Sequence, residues 1–130
     1  MLNYKKIISR LLDQNIYILS NDDKEAIIID PGLGFDLIDG YLKSENLSPI
    51  AVLATHAHID HIASANDCIK NYNIPFYICR GNSIMLDHYD IMKGYMHVDS
   101  EKPQVSHWIE ETDKKLTAVS YTHLRAHETR

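Results

Sequence analysis

The sequence predicts an α/β fold, a mixed sheet with flanking helices. Three observations carry that expectation. The first thirty residues hold short runs rich in Ile, Leu and Tyr, separated by polar turn residues. The middle of the chain alternates apolar runs of strand length with segments whose apolar residues recur at helical spacing. Pro31-Gly32 breaks the chain between these two patterns.

Lys5 to Leu12 and Asn15 to Ser20 read as two strands joined by a turn at Asp13-Gln14. Asn21 to Lys24 is a second polar turn, and Glu25 to Ile29 a third strand, so this part reads as an antiparallel meander. Phe35 to Glu45 has its apolar positions at Phe35, Leu37, Ile38, Tyr41 and Leu42, the spacing of an amphipathic helix. Ile50 to Ala54 is an apolar strand. Ile62 to Tyr72 reads as a helix with Ile62, Ala65, Ile69 and Tyr72 on one side, and Ile74 to Cys79 as the next strand. A β-α-β-α-β order implies layers with some parallel pairing. Asn82 to His88 suggests a short helix, followed by a loop, and Val105 to Ile109 a last short strand.

The length of 130 residues suits one domain. A net charge of −5 argues against nucleic acid and anionic membrane as partners, since both select basic surfaces. No apolar run approaches the ~20 residues of a membrane-spanning helix. The start shows no signal-peptide pattern, and two cysteines, Cys68 and Cys79, are too few for a disulfide framework. The expected compartment is the cytoplasm, with both thiols reduced.

The chemistry lies in Thr55-His56-Ala57-His58-Ile59-Asp60-His61, which leaves a strand and opens a helix. A turn in that position aims alternate side chains to one side, so His56 and His58 can share one cation. Asp60 and His61, at the helix start, can reach a second. Imidazole and carboxylate suit zinc, iron or manganese. Asp60 also sits favourably against the helix dipole.

This segment resembles the signature of the metallo-β-lactamase superfamily, and within it the glyoxalase II-like (hydroxyacylglutathione hydrolase-like) enzymes. Asn15-Ile16-Tyr17-Ile18 is similar to the family's first core strand, Ile27 to Gly32 to its strand-Asp-x-Gly motif, and Asn73 to Tyr77 to the strand after the metal loop. Trp108 to Asp113 is similar to the segment before the second half of the fold. The resemblance implies the N-terminal half of an αββα sandwich. It implies two divalent metal ions, with His56 and His58 on the first and Asp60 and His61 on the second. Asp30 would stand behind a ligating histidine and orient it through its other ring nitrogen; a plain strand-ending turn is the alternative. Thr55 would either hydrogen-bond nearby or serve only as a strand-end residue.

The same resemblance implies a reaction. A hydroxide held between the metals attacks the carbonyl of a small-molecule thioester or other ester, and Asp60 hydrogen-bonds that nucleophile or ligates the second metal. Lactone, phosphoester and di-iron redox chemistry use the same fold, and a non-catalytic metal-binding module is the reading from outside the enzyme class. The family adds a third histidine in a G-H-[TS]-x-G segment, then an aspartate and a last histidine, and none of these is found here. His88, His97 and His107 lack that setting and read as surface or packing residues. Residues 1–117 therefore read as a truncated domain with little or no activity. Residues 118–130, AVSYTHLRAHETR, resemble a translated sequencing-library adapter and read as a non-native tail, in which His123 and His127 carry no function. Oligomeric state is open.

Overall fold

The computed structural model describes residues 2–98 and 100–110. The tail at 118–130, the end of the expected 1–117 domain and residues 111–113 lie outside the described residues.

Six strands form one sheet in chain order: β1 (Asn3–Ile8), β2 (Asn15–Ser20), β3 (Glu25–Ile29), β4 (Ser48–Ala54), β5 (Phe76–Cys79) and β6 (His107–Ile109). β1, β2 and β3 pair antiparallel; β3 to β6 pair parallel. Each parallel step crosses over through helix: α1 (Phe35–Ser44) between β3 and β4, α2 (Ile59–Ile62) and α3 (Ala65–Tyr72) between β4 and β5, and α4 (Ser83–Asp87) and α5 (Tyr89–Met96) between β5 and β6. The mixed sheet with helices is the expected α/β architecture.

Register explains the core. Ile18 pairs with Ile28, Ile28 with Val52, and Val52 with Phe76, so one row of side chains crosses four strands on the same face. All four are essentially inaccessible to solvent. Ile38 and Leu42 of α1, Ile59 and Ile62 of α2, Ala65 and Cys68 of α3, and Leu86 and Tyr89 of α4 and α5 join them in one apolar cluster. Within α1, α2 and α3 the i, i+3 and i, i+4 spacings place each pair on a single helical side.

Several boundaries differ from expectation, and three of the differences have a local reason. β1 ends at Ile8, where the ladder to Asn15 stops. Leu12 and Asp13 both take left-handed backbone angles, φ 57° and 50°, so the hairpin turns there and not at Asp13-Gln14. The helix expected over Ile62 to Tyr72 starts only at Ala65, as α3, and Ile62 instead ends α2. The Ser64 amide donates to the Pro31 carbonyl at 2.8 Å and so leaves the helical ladder, while the Ser64 hydroxyl accepts from Gly34 N at 3.2 Å. The loop expected after His88 is mostly α5. Leu86, Tyr89, Met92 and Met96 are spaced to face the core, and Tyr89 is fully buried. Exposed Gly94 and the polar residues between them mask that periodicity in the sequence.

Candidate metal centre

β4 carries the chain out of the core at Ala54, and the next residues alternate. Ala57 and Ile59 are buried, whereas His56 and His58 are exposed. The small and branched apolar side chains therefore pin the backbone and leave both imidazoles outward. His58 keeps extended angles, φ −65° and ψ 141°, before α2 begins, and its carbonyl accepts from His61 N at 2.9 Å. Asn82 Oδ1 takes the Ala57 amide at 3.3 Å, tying the loop to the start of α4.

The three rings meet in one place. Centroids lie 5.9 Å apart for His56 and His58, 5.0 Å for His56 and His61, and 6.4 Å for His58 and His61. His61 sits between two carboxylates: Nδ1 is 3.2 Å from Asp30 Oδ2, and Nε2 is 3.7 Å from Asp60 Oδ2. Among the described residues, no group of three or more His, Cys, Asp or Glu side chains is placed to close around one cation. The donors present, three imidazoles and a carboxylate, with His56 and His58 exposed and Asp60 and His61 partly buried, fit a divalent metal chemically.

Asp30 is the organising group. It ends β3 in a left-handed conformation, φ 52°, which Asp tolerates better than most residues. Its buried carboxylate accepts from Thr55 N at 2.7 Å and Thr55 Oγ1 at 2.6 Å. Thr55 Oγ1 also lies 3.0 Å from His56 Nδ1. The hydroxyl has one proton, and a carboxylate can only accept, so that proton goes to Asp30. His56 Nδ1 must then be the donor to Oγ1, which leaves Nε2 with its lone pair free, the form a cation binds. Thr55 thus hydrogen-bonds within the centre as well as ending the strand.

Sequence reasoning missed the residues beneath this network. Gln14 Nε2 donates to the Asn15 carbonyl and lies 3.5 Å from His61 Nδ1, while its buried Oε1 has no partner among the described residues. Ser9 Oγ accepts from Leu33 N at 2.9 Å and Leu11 N at 3.0 Å. Gly32 lies where the two loops touch: a Cβ there would stand 2.6 Å from Asp60 O, 2.6 Å from Gln14 Oε1 and 2.7 Å from Ser9 Oγ. Only the Pro-Gly dipeptide signalled this approach. The other histidines have separate places. Among those described, His88 Nδ1 bonds the Ile84 carbonyl at 2.7 Å, His97 closes α5 with φ 55°, and the His107 ring packs at a tilt against Tyr77, centroids 5.3 Å apart.

A profile of the metallo-beta-lactamase superfamily matches residues 9–124. The probable metallo-hydrolase YqgX of Bacillus subtilis is 39% identical over 67 residues, which are 52% of this chain and 31% of that protein. A hydroxyacylglutathione hydrolase of Buchnera aphidicola is 43% identical over 65 residues, 50% of this chain and 26% of the enzyme. The crystal structure of BLEG-1 B3 metallo-beta-lactamase superposes with a TM-score of 0.75 at 33% identity, over 88% of this chain and 56% of that one. The alignments thus span about a third or less of these two curated relatives.

Proposed function

This chain belongs to the metallo-beta-lactamase superfamily, and from that premise we propose that its parent protein is a metal-dependent hydrolase that cleaves thioesters in the manner of a glyoxalase II. The similarity to a hydroxyacylglutathione hydrolase supports the thioester as substrate. The observation that carries the reading is the convergence of His56, His58 and His61, with Asp30 and Asp60 flanking the two nitrogens of His61.

His56 and His58 would hold one divalent ion, and Asp60 and His61 a second, with zinc, iron or manganese all compatible with these donors. Such ions, when bound, supply Lewis acidity, which acidifies water and polarises a carbonyl. The chain's own residues do the rest. Asp30, through Thr55, holds His56 in the tautomer with Nε2 free. Asp30 also fixes the ring of His61. Asp60, only partly exposed, is placed to accept a proton or orient a water. Ala57 and Ile59 keep the loop from spreading.

With about two ligands per position, the 130-residue chain binds metal weakly and turns over little or nothing, and residues 118–130 take no part. Zinc titration by calorimetry, beside a thioester hydrolysis assay, tests this. Weak binding that is reduced in the His56→Ala/His58→Ala double variant, which keeps only the Asp60 and His61 position, is expected. Tight stoichiometric zinc together with turnover would show that the site is complete; zinc binding unchanged in the double variant would place the metal elsewhere.

A further inference from the structure

Beside the imidazole cluster lies a cavity of about 260 Å³ between the β1–β2 turn and α5. We propose that it receives an uncharged, apolar arm of the ester substrate, attached to the reacting carbonyl on its acyl or its thiol side; the assignment rests on the hydrolase reading above. Leu12, Ile59, Met92, Tyr95 and Met96 make its apolar wall, and His58 and Asp60 close one side. A group seated against Met92 and Met96 therefore has its end beside the candidate ligands. The volume is below the roughly 300–1,000 Å³ of sites that enclose whole drug-sized ligands, so it suits one arm of a substrate.

Three features favour a ligand over chance exposure. Leu12 is 69% exposed and Tyr95 82% exposed at the rim, and large apolar side chains gathered around a concavity beside polar groups mark a binding surface. Leu12 also holds φ 57°, where a bulky residue is disfavoured and Gly, Asn or Asp would be easier. A strained position kept for a large apolar side chain points to a task for that side chain. Finally, among the described residues no lysine or arginine lines the cavity, so the carboxylates of a glutathionyl group would find no counter-charge from them there. Methionine walls adapt to arms of differing shape.

The test uses the 130-residue chain with 13C-labelled methionine methyls and three thioesters. S-hexanoyl-N-acetylcysteamine carries the long arm on the acyl side, S-hexyl thioacetate carries it on the thiol side, and S-acetyl-N-acetylcysteamine lacks it. Saturable shifts of the Met92 and Met96 methyls are expected with at least one hexyl-bearing probe, at about tenfold or more higher affinity than with the short one. Met85, packed against the core, should not move. The probe that works names the arm. Leu12→Asn removes apolar wall while easing the backbone, so it should fold normally and weaken binding by about tenfold. Absence of a saturable shift with both long probes, equal affinity for the short one, or undiminished binding by L12N would each overturn the proposal. Zinc titration followed at the histidine ring protons is read separately. Silence there with methionine shifts intact sinks the hydrolase reading and leaves the cavity a binding site; a zinc response without methionine shifts does the reverse.

Discussion

Replacing Asp30 perturbs the fold and the candidate centre through one group. Its carboxylate is buried, with 6% exposure for the residue, and accepts two short hydrogen bonds from Thr55, at 2.7 and 2.6 Å. Hydrogen bonds to a charged partner contribute roughly 1.5–3 kcal/mol each. Thr55 itself is exposed, so water replaces part of that loss. Alanine adds ~1 kcal/mol for the left-handed backbone that Asp tolerates. Asp30→Ala is therefore expected to lose about 2–4 kcal/mol, a large share of the roughly 5–15 kcal/mol of a typical domain. Asp30→Asn is the sharper test. The Thr55 amide proton cannot turn away, so the new amide oxygen must face it. The NH2 then faces Thr55 Oγ1, which must accept, and the hydroxyl proton swings to His56 Nδ1. The His56 tautomer reverses, protonating Nε2 and removing it as a ligand. Urea unfolding measures the first effect, and 15N ring chemical shifts of metal-free His56 at alkaline pH measure the second. Less than about 1 kcal/mol lost in D30A, or the same His56 tautomer in wild type and D30N, would refute the hydrogen-bond relay.

Gly32→Ala drives a methyl into the Asp60 carbonyl, Gln14 and Ser9; about 1–3 kcal/mol or more should be lost in urea unfolding, since a backbone atom cannot step aside. Cys68 is buried and its thiol pKa is pushed up by that burial, first, and then by Asp67 and Asp39, whereas Cys79 is exposed. A thiol reagent should therefore titrate Cys79 promptly in the native protein and Cys68 only in denaturant; fast reaction of both would contradict the packing. Asp39 is held below its ordinary pKa first by Lys43, at 2.8 Å, and then by the Tyr72 hydroxyl, at 2.6 Å. A depressed carboxylate stabilises the fold above its unfolded pKa of about 3.9 and loses that contribution as pH falls through its lower folded value. The stability gap between wild type and Asp39→Asn should thus be present at neutral pH and close as the pH falls below the unfolded value of about 3.9; a gap that is independent of pH would exclude the linkage.

Much of this molecule is legible in its residues. Asn15–Ser20 and Glu25–Ile29 are strands with the limits expected, because β-branched runs bounded by polar turns leave few alternatives. α1 ends within one residue of expectation for a like reason, Ile38 and Leu42 lying four apart. The break at Ser64 was not legible, since it depends on a carbonyl of Pro31 thirty-three positions earlier in the chain. Nor was α5, whose buried side is visible only once the core it covers exists.

The T-H-A-H-I-D-H segment already determined the donor types and their alternation, since a strand end with Ala57 and Ile59 turned inward leaves His56 and His58 outward whatever surrounds them. Tertiary structure alone decided that Asp30, twenty-five residues away from Thr55, sets the proton on His56, that Gly32 lets two loops touch at Asp60, and that Leu12 shares a wall with Met92 and Met96. The physical reason is one of range. Side-chain direction follows from local backbone geometry, whereas hydrogen-bond partners and cavities follow from which distant segments the sheet brings within a few ångströms.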